Sequence, residues 1–196
     1  MKTINTHTMK KNTFTLLLGL ALTASSMLVA QVKTIDLAES SIQWTGTKLT
    51  SGHTGTLTFN SGDLSFTDGK LSAGNFVVNM ASINCTDLEG EYAQKLIGHL
   101  KSDDFFSVEK HPEATLVFNN VHDNGDGVYH ITGDFTIKGI TSPAMFELVV
   151  TDNTAVTKVV LDRSKYNVRY GSDSFFDNLG DKVISDNFDL VVTLKM

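Results

Sequence analysis

The chain has 196 residues, of which 41% are hydrophobic and 19% are charged, and its formal net charge at pH 7 is −6. This length allows one domain with a sizeable core, and the negative charge disfavours nucleic acid and anionic lipid headgroups as partners, because both select positive surfaces. The single cysteine excludes an internal disulfide, so packing alone must stabilise the fold.

The first thirty residues have the features of a secretory signal. Two lysines at positions 10–11 precede an apolar run over 14–22, and small residues follow it. The run is too short to span a membrane, which favours a removable signal over a membrane anchor. We therefore predict a signal peptide over 1–30, one exported domain over 31–196, and a location in the periplasm or outside the cell. Cleavage there leaves 13 basic and 22 acidic residues, a net charge of about −9.

Downstream of the signal, apolar and polar residues alternate with a period of two. The alternating segments include SIQWTGTKL from Ser41, HTGTLTFN, LSAGNFVVNM, ATLVFNNV and, at the end of the chain, VISDNFDLVVTLKM. The sequences TDGK at 67–70 and DNGDG at 123–127 predict tight hairpin turns, because glycine and asparagine accept positive φ angles. Such alternation indicates antiparallel strands with one face in the core. Eight or nine strands with short connections favour a closed barrel over a sandwich.

One helix and one aromatic corner interrupt the strands. The segment TDLEGEYAQKLIGHL has helical spacing, and we expect its N-cap at Thr86 or Asp87. The overlapping stretch HLKSDDFFSVEKHPEATLVF contains two histidines, four acids and the adjacent Phe105 and Phe106. We interpret it as a polar cap and an aromatic pair, followed by Pro112 where a strand begins. One of the two rings is expected to face the lumen at the mouth of the barrel.

The reactive residue types form no recognisable catalytic or metal-binding motif. The histidines of the exported part are scattered, and no pair has the spacing of a zinc site. The DNGDG turn has glycine where a calcium loop needs oxygen ligands. Cys85 and His99 flank the helix without the signature of a cysteine hydrolase, and Cys85 is interpreted as a small buried hydrophobe. The sequence therefore predicts no enzyme, no metal and no cofactor.

Three motifs in order resemble one family of exported bacterial proteins. They are HLKSDDFFSVEKHPEATLVF, the hairpin within ITGDFTIKGITSPAMFEL from Gly133 to Pro143, and LDRSKYNVRYGS with Arg163, Ser164 and Tyr166. Together they are similar to the YceI-like family over nearly the whole exported part. The segment SKYNVRYGSDSFFDNLGDK departs from the commonest version of its region, which indicates a subgroup with its own loop and ligand.

The resemblance implies an all-β fold: an extended lipocalin-like antiparallel eight-stranded barrel with one short helix and an apolar lumen. It also implies a non-catalytic protein that binds a polyisoprenoid, a prenyl quinone or a fatty-acid-like lipid in that lumen. A homodimer is left open, and neither nucleic acid nor a membrane span is expected. The inward positions expected to line the lumen are Trp44, Phe59, Phe76, Val78, Phe105, Phe106, Phe118, Ile131, Phe135, Ile137, Phe146, Leu148, Phe188 and Leu190.

A filled barrel is the alternative. The exported part contains eleven phenylalanines and one tryptophan, and this composition by itself favours a solid core. Such a barrel would act as an exported interaction or stress-response module without a stored ligand. Strand periodicity does not distinguish a filled barrel from a hollow one, and it is the resemblance that favours the hollow form.

Overall fold

The structure is a computed structural model that describes residues 29–196, so the predicted signal lies outside the described residues apart from Val29 and Ala30. Within this range the chain forms nine β-strands, one α-helix and two short 3-10 helices. The strands are β1 (Ala30–Thr34), β2 (Ser41–Lys48), β3 (Gly52–Thr67), β4 (Lys70–Cys85), β5 (Glu113–Asp123), β6 (Val128–Ile137), β7 (Ile140–Thr151), β8 (Thr154–Asp162) and β9 (Ile184–Lys195). The helix α1 is Gly90–Lys101, and the 3-10 helices are Arg163–Tyr166 and Gly180–Lys182.

Strands β2 to β9 close into an antiparallel barrel. The sheet order is β1-β3-β2-β9-β8-β7-β6-β5-β4, and an additional pairing between β3 and β4 completes the ring. Strand β1 lies outside the ring and pairs with the second half of β3, from Asp63 to Thr67. The predicted eight-stranded antiparallel barrel with one helix is confirmed. Closure pairs the edges that an open sheet would leave exposed.

Tight turns connect the strands at one end of the barrel, which we call the hairpin end. Asp68 and Gly69 join β3 to β4 with φ angles of 51° and 79°, and two positive φ angles in succession give the twist that a two-residue hairpin needs. The turn at 124–127 has positive φ at three consecutive residues. Both predicted hairpins are therefore confirmed. The third turn at this end joins β7 to β8 at 152–153.

The opposite end carries the long connections, and we call it the helix end. The long connections are the segment 86–112 with α1 and the segment 163–183 between β8 and β9; the short turns 49–51 between β2 and β3 and 138–139 between β6 and β7 lie at the same end. They gather at one end because consecutive antiparallel strands reverse direction, so alternate connections return to the same side. None of the helices in the described part of the chain is long and apolar enough to cross a bilayer.

The two ends of the described chain emerge at the hairpin end. The backbone carbonyl of Val29 accepts a hydrogen bond from the amide of Asp68, at 3.1 Å. The amide of Met196 donates to the carbonyl of Asn153, at 3.0 Å. Each end is therefore fixed to one of the tight turns.

The helix begins later than its sequence pattern indicates. The predicted N-cap at Thr86 or Asp87 is wrong, because α1 starts at Gly90 after Glu89, which makes no capping bond with its side chain. The carboxylate of Asp87 instead accepts a hydrogen bond from the backbone amide of Thr54 on β3, at 2.9 Å. The Asp87 carboxylate thus bonds to a distant strand instead of capping the helix that follows it.

Strands β7 and β8 separate towards the helix end. Their pairing runs only from Leu148 to Thr151 on β7, so Pro143 lies where its missing N–H costs no bond to β8. The 3-10 helix Arg163–Tyr166 covers this gap, and the buried Tyr166 hydroxyl donates to the carbonyl of Ser142, at 3.4 Å. In this region side-chain packing replaces the backbone hydrogen bonds between β7 and β8.

Candidate functional site

An apolar cavity runs through the barrel interior. Its volume is about 160 Å³. Its wall includes Ile184 at the start of β9 and Leu194 near its end, a rise of about 33 Å along the strand. For a strand tilt of roughly 40° this is a length of about 25 Å along the barrel axis. So small a volume over such a length makes a channel about one hydrocarbon chain wide.

Thirteen of the fourteen candidate lumen residues lie in the channel wall. That these residues contact a ligand stays a prediction. They are Trp44, Phe59, Phe76, Val78, Phe105, Phe106, Phe118, Phe135, Ile137, Phe146, Leu148, Phe188 and Leu190.

Ile131 is the exception and corrects one expectation. It faces inward on β6 but is only 1% exposed and does not reach the channel. Other buried side chains that also lie outside the channel wall, including Leu64, Phe66, Leu71 and Tyr129, occupy the hairpin end on the β3, β4 and β6 side. The Tyr129 hydroxyl accepts a hydrogen bond from the Leu71 amide there, at 3.3 Å. This part of the barrel is solid, so an inward direction does not guarantee a place on the channel.

A chain of aromatic contacts stiffens one side of the channel. The ring centroids of Phe59 and Phe76 are 6.1 Å apart, and those of Phe76 and Phe118 are 5.8 Å apart. Phe118 and Phe146 follow at 5.8 Å, and Phe146 and Phe135 at 5.9 Å. Tilted and edge-on ring pairs at these distances are favourable. Each ring therefore packs against its neighbour along this side of the channel.

Several wall residues on β2 and β8 were not among the predicted lumen residues. Gly46 continues the inward series of Ile42 and Trp44, but a glycine carries no apolar side chain to mark it. Val159 and Leu161 alternate inward on β8 in the same way. Period-two alternation, extended through every strand, would have found Val159 and Leu161 but not Gly46.

The aromatic corner lies at the helix end of the channel. Phe105 and Phe106, both among the candidate lumen residues, contribute to the wall, although only one of the two rings was expected to face the lumen at the mouth. Their centroids are 5.0 Å apart in an edge-on arrangement. Phe105 is buried at 7% exposure and Phe106 is half-buried. The ring of His99 contacts Phe105 at 5.6 Å and Tyr170 at 4.4 Å, again edge-on.

Among the residues that the structure describes, Arg163 is the one charged side chain in the channel wall, and it is 2% exposed. Its guanidinium donates to four backbone carbonyls at 2.8 to 3.0 Å, those of Val168, Tyr170, Ile184 and Ser185. Asp186 lies 3.3 Å from Nη2 as an ion pair without hydrogen-bond alignment. Burial lowers the pKa of Arg163, and Asp186 opposes that shift. Because its donors are engaged by its own loop, we interpret Arg163 as a clamp on the segment 168–186.

A second polar cluster joins Cys85, Asp87 and His53. Asp87 Oδ1 accepts from the Cys85 thiol at 3.2 Å, and Oδ2 lies 2.9 Å from His53 Nδ1. Burial raises the pKa of Asp87, but hydrogen bonds from the Thr54 amide, His53 and Cys85 outweigh it and lower the pKa to about 2. A cysteine nucleophile is activated by an adjacent strong base, whereas here the neighbour of the Cys85 thiol is the weakly basic carboxylate of Asp87, and His53 bonds to the other oxygen of that carboxylate. Within residues 29–196 no three His, Cys, Asp or Glu side chains are grouped to hold a metal.

A closed antiparallel barrel around an apolar channel defines a lipocalin-like β-barrel protein. Residues 34–196 match the YceI-like domain, and the chain belongs to that family. It is 36% identical over 138 residues to a UPF0312 protein of Shewanella denitrificans, a match that covers 69% of this chain and 70% of that protein. It is also 36% identical over 90 residues to the protein YceI of Escherichia coli, a match that covers 46% of each.

Two solved structures share the fold. Burkholderia cenocepacia BcnA superposes with a TM-score of 0.68 at 22% identity, over 82% of this chain and 98% of that chain. A polyisoprenoid binding domain from Saccharophagus degradans, implicated in plant cell wall breakdown, superposes with a TM-score of 0.55 at 12% identity. The match with that domain covers 86% of this chain and 99% of the other. At these identities the likeness is one of architecture.

Proposed function

We propose that this protein is a non-catalytic binding protein that holds a long apolar amphiphile in the channel. The observation that carries the proposal is the channel itself, a narrow apolar space about 25 Å long. Protein interiors are normally close-packed, and the voids that remain are few and small. A void of this length and predominantly apolar character is therefore best explained by a chain-like occupant.

The energetics favour a hydrocarbon chain. Each buried methylene contributes about 0.8 kcal/mol, so ten of them give roughly 8 kcal/mol, which corresponds to micromolar affinity without any polar contact. The wall offers almost exclusively apolar side chains, with Thr115, Thr157 and Ser185 among the few polar ones. A polyisoprenoid, a prenyl quinone or a fatty-acid-like lipid has the required shape. The polyisoprenoid-binding neighbour of the same architecture supports the first of these.

The proposal includes where and how the protein acts. It is exported through the signal predicted over 1–30 and works in the periplasm or outside the cell. It needs no cofactor, because binding requires only a shaped apolar space. It carries out no reaction on its ligand, in line with the position of Asp87 between Cys85 and His53.

Two measurements test this function together. Mass spectrometry of an organic extract of the purified protein identifies any lipid that it retains. Titration of the delipidated protein with a prenyl quinone then follows the fluorescence of Trp44, the only tryptophan of the sequence, which lies in the channel wall. Its indole N–H donates to the carbonyl of Asn84 at 3.1 Å, so its orientation is fixed.

We expect saturable binding of one ligand per protein molecule, and no response to the quinone head group without its tail. An empty extract together with a flat titration would instead support the filled barrel acting as an interaction module.

A further inference from the structure

A second, wider depression opens at the helix end, with a volume of about 750 Å³. We call it the vestibule. Three basic residues contribute to its wall, Lys138, Arg169 and Lys182, together with the acids Asp103 and Asp104. Partly exposed apolar side chains complete it, so the vestibule is amphipathic, unlike the channel.

The vestibule adjoins the end of the channel. Asp104 in its wall directly precedes Phe105 in the channel wall, and Lys138 directly follows Ile137. The carbonyl of Tyr170, a vestibule residue, accepts a hydrogen bond from Arg163 at 2.8 Å. The amide of Ile184 in the channel wall also donates to the carbonyl of Gly171 in the vestibule wall, at 2.8 Å, so the vestibule lies beside the helix end of the channel.

The acids of the vestibule are only partly available to balance its bases. Asp103 is engaged by Lys110, whose Nζ lies 2.6 Å from Oδ2, and by the Ser107 hydroxyl. Asp104 forms no ion pair with any residue of the described chain. Lys110, which lies outside the vestibule, thus neutralises the Asp103 carboxylate, and the Asp104 carboxylate remains to balance the bases.

The three basic side chains form no ion pair among residues 29–196. Lys138 Nζ donates to the backbone carbonyls of Asp103 and Asn167, each at 3.3 Å. Arg169 lies over the ring of Phe175, 4.9 Å from its centroid. Burial lowers the pKa of Lys138, which a bound anion would reverse. With Asp104 the one acid left to oppose three bases, the vestibule is net positive, in contrast with the strongly negative exported part.

We propose that the vestibule binds the anionic head group, a phosphate or a carboxylate, of an amphiphile whose tail lies in the channel. This inference rests on the proposed function. The head group of such a molecule, emerging between the Phe105 corner and Lys138, meets three cations within one depression. Phosphate and carboxylate oxygens accept charge-assisted hydrogen bonds from lysine and arginine. The channel then selects for the tail, and the vestibule selects for the head.

The test compares two ligands with the same tail, geranylgeranyl phosphate and geranylgeraniol, by titration against Trp44 fluorescence. Each cation near 4 Å from the phosphate adds about fivefold to affinity in a water-exposed site. The wild-type protein should therefore prefer the phosphate by tenfold or more at low salt, and the preference should fall as salt screens the charges. Inorganic phosphate alone should bind far more weakly, because it lacks the tail.

The informative variant is Arg169→Gln with Lys182→Gln, which leaves the hydrogen-bonded Lys138 in place. It should lose about 30-fold in affinity for the phosphate and nothing for the alcohol. The matched control, Lys48→Gln with Lys95→Gln, removes the same charge from exposed positions outside the vestibule. It should leave both affinities unchanged.

The outcomes separate this inference from the proposed function. If the alcohol binds as tightly as the phosphate, or if both double variants lose phosphate affinity equally, the head-group site is wrong while the channel remains. If inorganic phosphate binds as tightly as the prenyl phosphate, the vestibule is a site for free anions, and the inference is overturned. If neither prenyl ligand binds, the proposed function falls as well.

Discussion

Filling the channel from Gly46 should abolish ligand retention without unfolding the barrel. Gly46 lies in the channel wall, and a Cβ atom built there meets nothing within 4 Å. Its side of β2 faces inward, in register with Phe188 on β9. The substitution Gly46→Leu therefore places four carbons in the space that the ligand is proposed to occupy.

The expected magnitudes follow from the size of the channel. A cavity left by truncating one large core side chain is about 150 Å³, the same order as the whole channel. Excluding only four methylenes of ligand costs about 3 kcal/mol, or more than a hundredfold in Kd. Stability should stay constant or rise by up to about 1 kcal/mol, because glycine inside a strand is unfavourable.

The assay pairs lipid content with thermal stability. Organic extracts of the variant should contain little or none of the lipid that the wild type retains, and Trp44 fluorescence should no longer respond to the prenyl quinone. Thr47→Leu is the matched control, because it adds apolar volume on the exposed side of the same strand. Wild-type lipid content in a folded Gly46→Leu protein would show that the channel is not the binding site.

Three further results are expected. Phe105→Ala should cost about 3–5 kcal/mol of stability, because its ring is buried, whereas Phe106→Ala should mainly weaken lipid retention. Denaturant titration measures the loss of stability, and organic extraction measures the bound lipid. If both variants lose the same stability and bound lipid is unchanged, the corner has only a structural role. The low pKa of Asp87 stabilises the fold above the ordinary carboxyl pKa near 4, and this contribution is lost as pH falls through about 2. Asp87→Asn should thus lower the Tm by roughly 2–4 °C at pH 7, and the difference should shrink as pH falls from about 4 through about 2; a difference independent of pH would contradict this. Cys85→Ala and treatment with a chelator should both leave ligand affinity unchanged, since the thiol lies outside the channel wall. A loss of binding after either treatment would revive a reactive or metal-dependent site.

Local chemistry explains which parts of the fold were readable from sequence. The alternation of apolar and polar residues predicted the strands. The residues with positive φ in the turns after Thr67 and Asp123 are glycine and aspartate, which tolerate that conformation. The N-cap of α1 was misassigned because Asp87 bonds to Thr54, a neighbour that only the folded chain provides. Local signals predict local structure, and distant partners override them.

The channel wall was harder to predict from sequence. The alternation of apolar and polar residues shows which side chains point into the barrel, but not which of them reach the channel. Ile131 and Phe135 face the same way on β6, yet only Phe135 reaches the channel. Gly46 contributes by lacking a side chain, which no hydrophobic pattern registers. The basic residues of the vestibule come from separate connections, 138–139 and 163–183, and only the barrel brings them together.

The placement of both ends of the described chain at the hairpin end has a practical consequence for handling the protein. A tag, a linker or a surface attachment joined beside Ala30 or Met196 would hold the molecule by the face that carries the tight turns. The helix end, with Phe105 and Lys138, would then point into solution. Immobilised on a sensor chip or a bead, every copy would present its vestibule to the same side, so vesicles or micelles passed over the surface would meet an oriented layer of openings.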